Sequence, residues 1–505
     1  MNFMTAMKQT MDDGRDNISV TENGALGYKT TGKALLDMNF AISSMRRRSQ
    51  QEIEAMFAGV CAENLDIAIV WLFFCRDVRG GLGERRLFRI CFNYLAREFP
   101  EKAMLVLGAI PEFGRWDDLL EVFDAAASKE ISQAALKIIA DQLTADMLCL
   151  RDDQPVSLLG KWLPSENTSS NDTKRRAKKL IVSLGMSPRK YRQMLSALRR
   201  RIDVVERKMS AKQWGEINYN GVPSRANLLY QDAFMTHDTE RRQAYLDSLK
   251  KGEAKINAST LYPHEIVAKY GDHVRINETL EALWKNLPNT VPLNAQMMVV
   301  ADGSGSMTWG GNQSNLCPLD VANALAIYFS EKLTGPYKDK YITFSSHPQY
   351  VDLSGATTLM GKLAIAEEHD ECSNTDIERV FDLILETAIT NDLQQEELPP
   401  TVLIISDMEF DGATYYHADQ RLFDMIAAKY HIAGYEMPRL VFWNVNSRTN
   451  TIPVRTNPLG VALVSGFSPT VAKMIFSGKL DPYECLLDML SVPRYDVIRE
   501  ALKGA

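Results

Sequence analysis

The sequence predicts an α + α/β protein of two domains, an N-terminal α-solenoid and a C-terminal doubly wound, mostly parallel sheet. Three observations predict it. Segments of helical length follow one another from about Lys33 to Asn286. Apolar strands and amphipathic helices then alternate towards the end of the chain. The charge changes sign at the same place: residues 1–290 carry 42 basic and 37 acidic side chains, and residues 291–505 carry 15 and 27. A chain of 505 residues with 45% apolar and 24% charged side chains has a globular composition and the length for more than one core. Two opposite charge balances suggest two kinds of partner.

Residues 1–34 are polar and contain glycine, and read as a flexible N-terminal arm. In residues 35–286, QQEIEAMFAGVCAEN, LDIAIVWLFFCRD, ERRLFRICFNYLAREF, PEKAMLVLGAI and WDDLLEVFDAAA repeat apolar residues at spacings of three and four, the helical period. RGGLG and PEFGR punctuate them. Such a succession predicts HEAT-like stacked helix pairs; a compact irregular helical domain is the alternative. Pro288 and Pro292 forbid a continuous helix through 286–294, which places the second domain at 290–505. There AQMMVVAD, KYITFSS, TVLIISD and RLVFWNV read as strands and VALVSGF as a further one, while PLDVANALAIYFSEKL and NTDIERVFDLILETAI read as helices. Alternation of this kind gives a parallel sheet covered on both faces. Such sheets bind ligands at the C-terminal ends of their strands.

One such end carries chemistry. The strand QMMVV runs into Asp302-Gly303-Ser304-Gly305-Ser306. A carboxylate and two hydroxyls spaced by two on a tight loop can face one centre. All-oxygen ligation suits a hard cation, Mg2+ first, with Mn2+ and Ca2+ also open, rather than zinc. Asp407 directly follows the apolar strand TVLIIS, and the loop Ser373-Asn374-Thr375-Asp376 precedes a helix. Thr375 offers a third hydroxyl, with Asp376 as its alternative.

These residues resemble the von Willebrand factor A domain with its metal-ion-dependent adhesion site. Asp302, Ser304 and Ser306 match the first element of that pattern, and Thr375 and Asp407 match the distant threonine and aspartate by position. The resemblance implies a divalent-cation site at which an acidic group of a ligand completes the coordination. FCRDVRGGLGERRLFR, GRWDDLL, VPSRANLLYQDAF and LYPHEIV further resemble an uncharacterised family, known from phage and plants, that couples a helical domain to an A domain. That family is similar in turn to the TROVE (Ro autoantigen) family. The latter resemblance implies a helical ring closed by the A domain, with single-stranded RNA ends in a basic channel and small structured RNA outside.

The helical half carries a separate signal. Residues 174–208 hold 13 basic and two acidic side chains, a local field that concentrates phosphate. The candidate RNA-binding residues are Lys174, Arg175, Arg176, Lys178, Lys179, Arg189, Lys190, Arg192, Arg199, Arg200 and Arg201, with Tyr191 and Trp214 as stacking platforms. A solvated basic face, or docking of the chain's own acidic half, is the plain alternative. In RDVRGGLGERR, Arg76, Arg79, Arg85 and Arg86 flank glycines. They suit a phosphate or, more simply, ion pairs within the fold with Asp77 and Glu84. The cluster Glu367 to Cys372 reads as an exposed acidic loop rather than a metal site.

Much chemistry is excluded. His264-Glu265 lacks the second histidine of a zinc-protease helix. There is no nucleophile elbow, kinase signature or nucleotide fingerprint. The seven cysteines form no CxxC pair, so neither disulfides nor structural zinc are expected. No apolar run approaches the ~20 residues of a membrane helix, and the N-terminus has no signal-peptide pattern, so the expected location is cytoplasmic. The reading is a non-enzymatic, Ro-like RNA-binding protein with a divalent-metal site. The alternative is a scaffold that captures a partner's carboxylate without RNA. Metal-assisted phosphoester hydrolysis ranks last, because no general base is evident.

Overall fold

The computed structural model describes Met4, Met7 and residues 17–24, 26–125, 128–270, 275–308, 317–345, 347–370, 375–410, 420–449, 451–453, 462–468, 472–476 and 481–504. It divides into two compact units, each built from discontinuous pieces of chain. A helical unit comprises residues 50–260 and 490–505, and an α/β unit comprises residues 1–49 and 261–489.

The helical unit holds the helices expected from the period. Leu65–Arg76 starts at Asn64, whose side chain accepts from the Ile67 amide at 3.0 Å. That bond satisfies one of the free donors of the first turn. Its residues Ala68 to Arg76 are all buried, as an apolar run with little amphipathicity must be. Arg85–Glu98 buries Leu87, Phe88, Cys91, Phe92 and Leu95 along one face. Helices in this unit run from the four residues Leu159–Trp162 to the 23 of Lys129–Arg151. These lengths establish a helical region but do not establish the expected HEAT-like pairs.

The α/β unit contains β1 (Ile18–Val20) and β2 (Leu26–Tyr28) as an antiparallel pair. Its main sheet is formed by β3 (Met298–Asp302), β4 (Lys340–Phe344), β5 (Tyr350–Asp352), β6 (Thr401–Ser406), β7 (Arg439–Asn444) and β8 (Ala462–Ser465). The order is β5-β4-β3-β6-β7-β8, parallel except for the antiparallel edge strand β5. Side chains alternate between two covered faces. Val300, Ile404 and Phe442 pack with helices Ile377–Thr390 and Gln420–Ile432. On the other face, Trp443 packs on Phe329 of helix Pro318–Lys332, with ring centres 5.3 Å apart.

The units cut across the segments read from the sequence. Residues 17–24 and 26–34, taken for part of a flexible arm, are bound to the α/β unit. Tyr28 bridges to Ile452, and Thr21 donates to the Phe410 carbonyl at 2.7 Å. These partners lie hundreds of positions away and leave no local pattern. The break at 286–294 lies inside the α/β unit. Trp284 donates to Glu331 at 2.8 Å, and Glu281 accepts from the Leu359 and Met360 amides. Conversely, Tyr495, Ile498 and Leu502 are buried in the helical unit.

Candidate functional site

In the α/β unit, β3 and β6 are adjacent, with Ala301 opposite Ile405. From β3 the chain order runs to β4 on one side, and from β6 to β7 on the other. This is a topological switch point, where strand ends leave a crevice. The register sets Asp302 beside Ser406, and Ser406 Oγ donates to Asp302 Oδ2 at 2.5 Å. The other carboxylate oxygen of Asp302 accepts from the Ser304 amide at 2.9 Å, a turn that aims the loop back at the strand end. Ser304 Oγ and Ser306 Oγ lie 2.9 Å apart, and Asp407 Oδ1 accepts from the Glu409 amide at 3.1 Å. The chain leaves Asp407 through Met408, which has a positive φ of 62°.

Asp302 and Asp407 are buried. Burial, reinforced by the charge of Asp407, pushes the Asp302 carboxyl well above its usual range. Burial also raises Asp407, against the opposing charge of Arg448. Two such carboxylates side by side favour a positive charge between or beside them. One is present: Arg448 Nη1 stands 3.3 Å from Asp407 Oδ2 and 3.4 Å from the Ser306 carbonyl. Arg448 also pairs with Glu22. Its loop is fixed by Glu409, which accepts from the amides of Arg448 at 2.6 Å, Thr449 at 2.9 Å and Glu22 at 2.7 Å. Neither Arg448 nor Glu409 carries a sequence signal, since each acts through a fold contact. Ser406 could have been read as the residue before Asp407.

The contacts just described join Asp302, Ser304, Ser306 and Asp407. Thr375 is buried two residues before helix Ile377–Thr390. Asp376, its alternative, caps that helix by accepting from the Arg379 amide at 3.2 Å. Ser373, Asn374, Glu371 and Cys372 lie outside the described residues. Asp370 is bonded by Asn323 Nδ2 at 3.1 Å. Among the described residues no group of three or more His, Cys, Asp and Glu side chains gathers as a metal cluster. The pair of aspartates with hydroxyls is a different kind of donor set.

The basic helices Asn171–Ser183 and Pro188–Ile202 are less free than their sequence implies. Arg176 pairs with Asp124 at 2.5 Å and Lys179 with Asp124 at 3.4 Å. Arg192 pairs with Glu166 at 2.7 Å, Arg175 with Asp172 at 2.6 Å, and Arg201 with Asp153 at 2.8 Å. Arg199 donates to the carbonyls of Gly160 and Leu163 and to Ser165 Oγ, so it serves the fold. Tyr191 is fully buried with its hydroxyl on the Pro164 carbonyl. Trp214 stacks on His237 at 4.5 Å. Tyr191 is therefore withdrawn as a base-stacking platform, and one face of Trp214 is already covered. Lys174, Lys178, Arg189, Lys190 and Arg200 have no carboxylate partner among the described residues. Of these only Lys174 is not fully exposed. A groove of about 620 Å³ lies alongside, lined by Lys161, Arg192, Arg199, Arg207, Glu166 and Glu206 among others.

The chain thus combines an α/β unit that has oxygen donors at its sheet's switch point with a helical unit. A domain family of unknown function (DUF7788) matches residues 296–486, and a second (DUF2828) matches residues 186–299. An uncharacterized protein of Acanthamoeba polyphaga mimivirus is 30% identical over 94% of this chain and 87% of its own length. The chain belongs to the family of that viral protein. The crystal structure of the Deinococcus radiodurans Ro (RSR) protein aligns over 84% of this chain and 92% of its own, with 15% identity and a TM-score of 0.42. Similarity to Ro proteins is thus distant. No helix among the described residues is long and apolar enough to cross a membrane.

Proposed function

We propose that this protein is a non-catalytic binding protein whose α/β unit holds a divalent cation and, through it, an acidic group of a partner. One observation carries the reading: Asp302 and Asp407 are both buried at adjacent strand ends, with Ser406 Oγ bonded to Asp302 and Asp407 Oδ2 left without a hydrogen-bond donor among the described residues. Carboxylate and hydroxyl oxygens fit a hard cation, Mg2+ or Mn2+. Arg448 beside Asp407 already occupies the place of a positive charge. Asp302, Ser304, Ser306 and Asp407 would hold the ion, with Thr375 as the outer hydroxyl. With neutral hydroxyls among its ligands, the ion keeps net positive charge for an incoming carboxylate.

Titration calorimetry with MnCl2 on EDTA-stripped protein tests this. Saturable binding at one site, lost in Asp302→Ala and in Asp407→Ala, is the expected result. Undiminished binding in variants that keep the wild-type melting temperature overturns it.

A second reading, RNA held on the helical unit, is favoured by the exposed and unpaired Lys178, Arg189, Lys190 and Arg200. It agrees with the resemblance to TROVE proteins. It predicts affinity for single-stranded RNA that falls steeply with salt and falls again when these four become glutamine. RNA binding unchanged by those substitutions counts against it.

A further inference from the structure

The glycine-rich turn of the helical unit leads to a second charged site, away from the 174–208 run. Gly81 makes the turn possible, because a Cβ there would lie 1.9 Å from the Phe74 carbonyl oxygen. The turn delivers Arg85 as the first residue of helix Arg85–Glu98. That helix has no acidic residue in its first turn and no side-chain cap. Arg115 precedes helix Trp116–Ala125, whose first turn holds Asp117 and Asp118. Helix N-termini carry partial positive charge, so Arg85 at its helix start adds like charge to like.

The nearby carboxylates are already engaged. Asp118, fully buried, accepts from Arg76 Nε and Arg89 Nε, each at 2.8 Å, and from the Arg115 amide at 3.0 Å. Asp117 pairs with Arg89 at 3.1 Å and reaches Arg85 only at 4.0 Å. Three guanidiniums, of Arg76, Arg85 and Arg89, therefore share two aspartates. Glu121 is itself divided between Arg89 at 3.7 Å and Arg176 at 3.2 Å. The Arg115 side chain meets no acceptor among the described residues. It lies over the Trp162 ring at 4.8 Å, with Lys161 also over that ring at 5.9 Å. Burial, then the charge of Arg85, pulls Arg115 down to about 10, and burial lowers Arg85 as well. Both remain charged at neutral pH, Arg115 half-buried and Arg85 44% exposed.

We propose that Arg85 and Arg115 form a binding site for a phosphate group, with Trp162 holding the Arg115 guanidinium in position. A phosphate supplies the acceptor that the Arg115 guanidinium lacks among the described residues. Its oxygens match the planar donor fork of arginine, and the start of helix Arg85–Glu98 adds its amide dipole. The phosphate belongs to a nucleic-acid strand or to a small phosphorylated molecule. The site shares no residue with the cation site and stands whether or not that site is filled.

The test uses the full-length protein at low ionic strength with two probes, inorganic pyrophosphate and a single-stranded oligouridylate. Pyrophosphate should raise the wild-type melting temperature, and Arg85→Gln/Arg115→Gln should weaken its binding ~10-fold or more, as loss of charge-assisted hydrogen bonds does. Without ligand the double variant should melt at or above wild type, because like charges have been removed. Oligouridylate binding tighter than pyrophosphate, and lost in the same variant, makes a nucleic-acid strand the source. Binding of pyrophosphate alone assigns a small phosphorylated molecule. The single variants guard against misfolding: whichever keeps its ligand-free melting temperature must bind pyrophosphate more weakly than wild type. Undiminished binding there, or a wild type that responds to neither probe, overturns the site.

Discussion

Glu409 shows how much one buried side chain can organise. Its carboxylate accepts from the amides of Glu22, Arg448 and Thr449 and from the hydroxyls of Ser447 and Thr449. Glu409→Ala leaves several buried donors without an acceptor, at a cost of ~3 kcal/mol or more. Urea denaturation should show that loss, and a variant within about 1 kcal/mol of wild type would contradict the described network. Asp370 gives a prediction of the opposite sign. Burial pushes its carboxyl up to about 6, with Glu367 adding to the rise and Asn323 opposing it. The folded chain therefore binds this proton more tightly than the unfolded chain does. The resulting stabilisation is complete at pH below ~4 and is lost as pH rises towards ~6. Asp370→Asn should accordingly melt above wild type at neutral pH and lose that advantage in acid. Thermal scans across pH check this, and a pH-independent difference counts against it.

At the scale of elements, helices and strands were legible because each buries a face with a regular period. β3, β4, β6 and β7 lie where alternation and apolar runs placed them. The carboxylate at the end of β3 was legible too, because a loop ligand set is local in sequence. Arg448 was not, since it reaches Asp407 from the loop after another strand. The basic run misled for the same reason. Asp124, Glu166 and Asp153 approach it from elsewhere in the fold, so its formal charge overstated its free charge. The last helix, Asp496–Lys503, falls in the segment 290–505 expected to form the α/β domain. Instead Tyr495, just before it, stacks on Phe113 at 5.6 Å, meets Phe74 edge-on at 6.1 Å and donates to Asp77 at 3.2 Å. Tyr495→Ala should cost the helical unit ~3–5 kcal/mol. Hydrogen exchange would report it as lost protection in helix Leu65–Arg76, with β3 and β6 unaffected.

For the whole molecule, the sequence told correctly of two kinds of structure but not of how the chain divides between them. Composition averages over segments, whereas membership of a unit is decided by single residues such as Phe40, which packs in the α/β core. Ser43 reaches Asn444 at 2.9 Å in the same unit. Residues 261–489 made alone should therefore lack cooperative melting, and co-expression with residues 1–49 should restore it. A sharp transition in the shorter chain would contradict this.

The discontinuity also imposes a schedule. The first 49 residues leave the ribosome long before β7, against which they pack. The helices that follow must wait for Tyr495 and Ile498, made only after the whole of the α/β sheet. At ~5–20 residues per second the first wait, from Phe40 to β7, is roughly 20–80 s, during which Leu35, Leu36 and Phe40 have no shelter. The α/β unit cannot close before β8 is made, nor the helical unit before Tyr495, so neither is finished a domain's length ahead of the other.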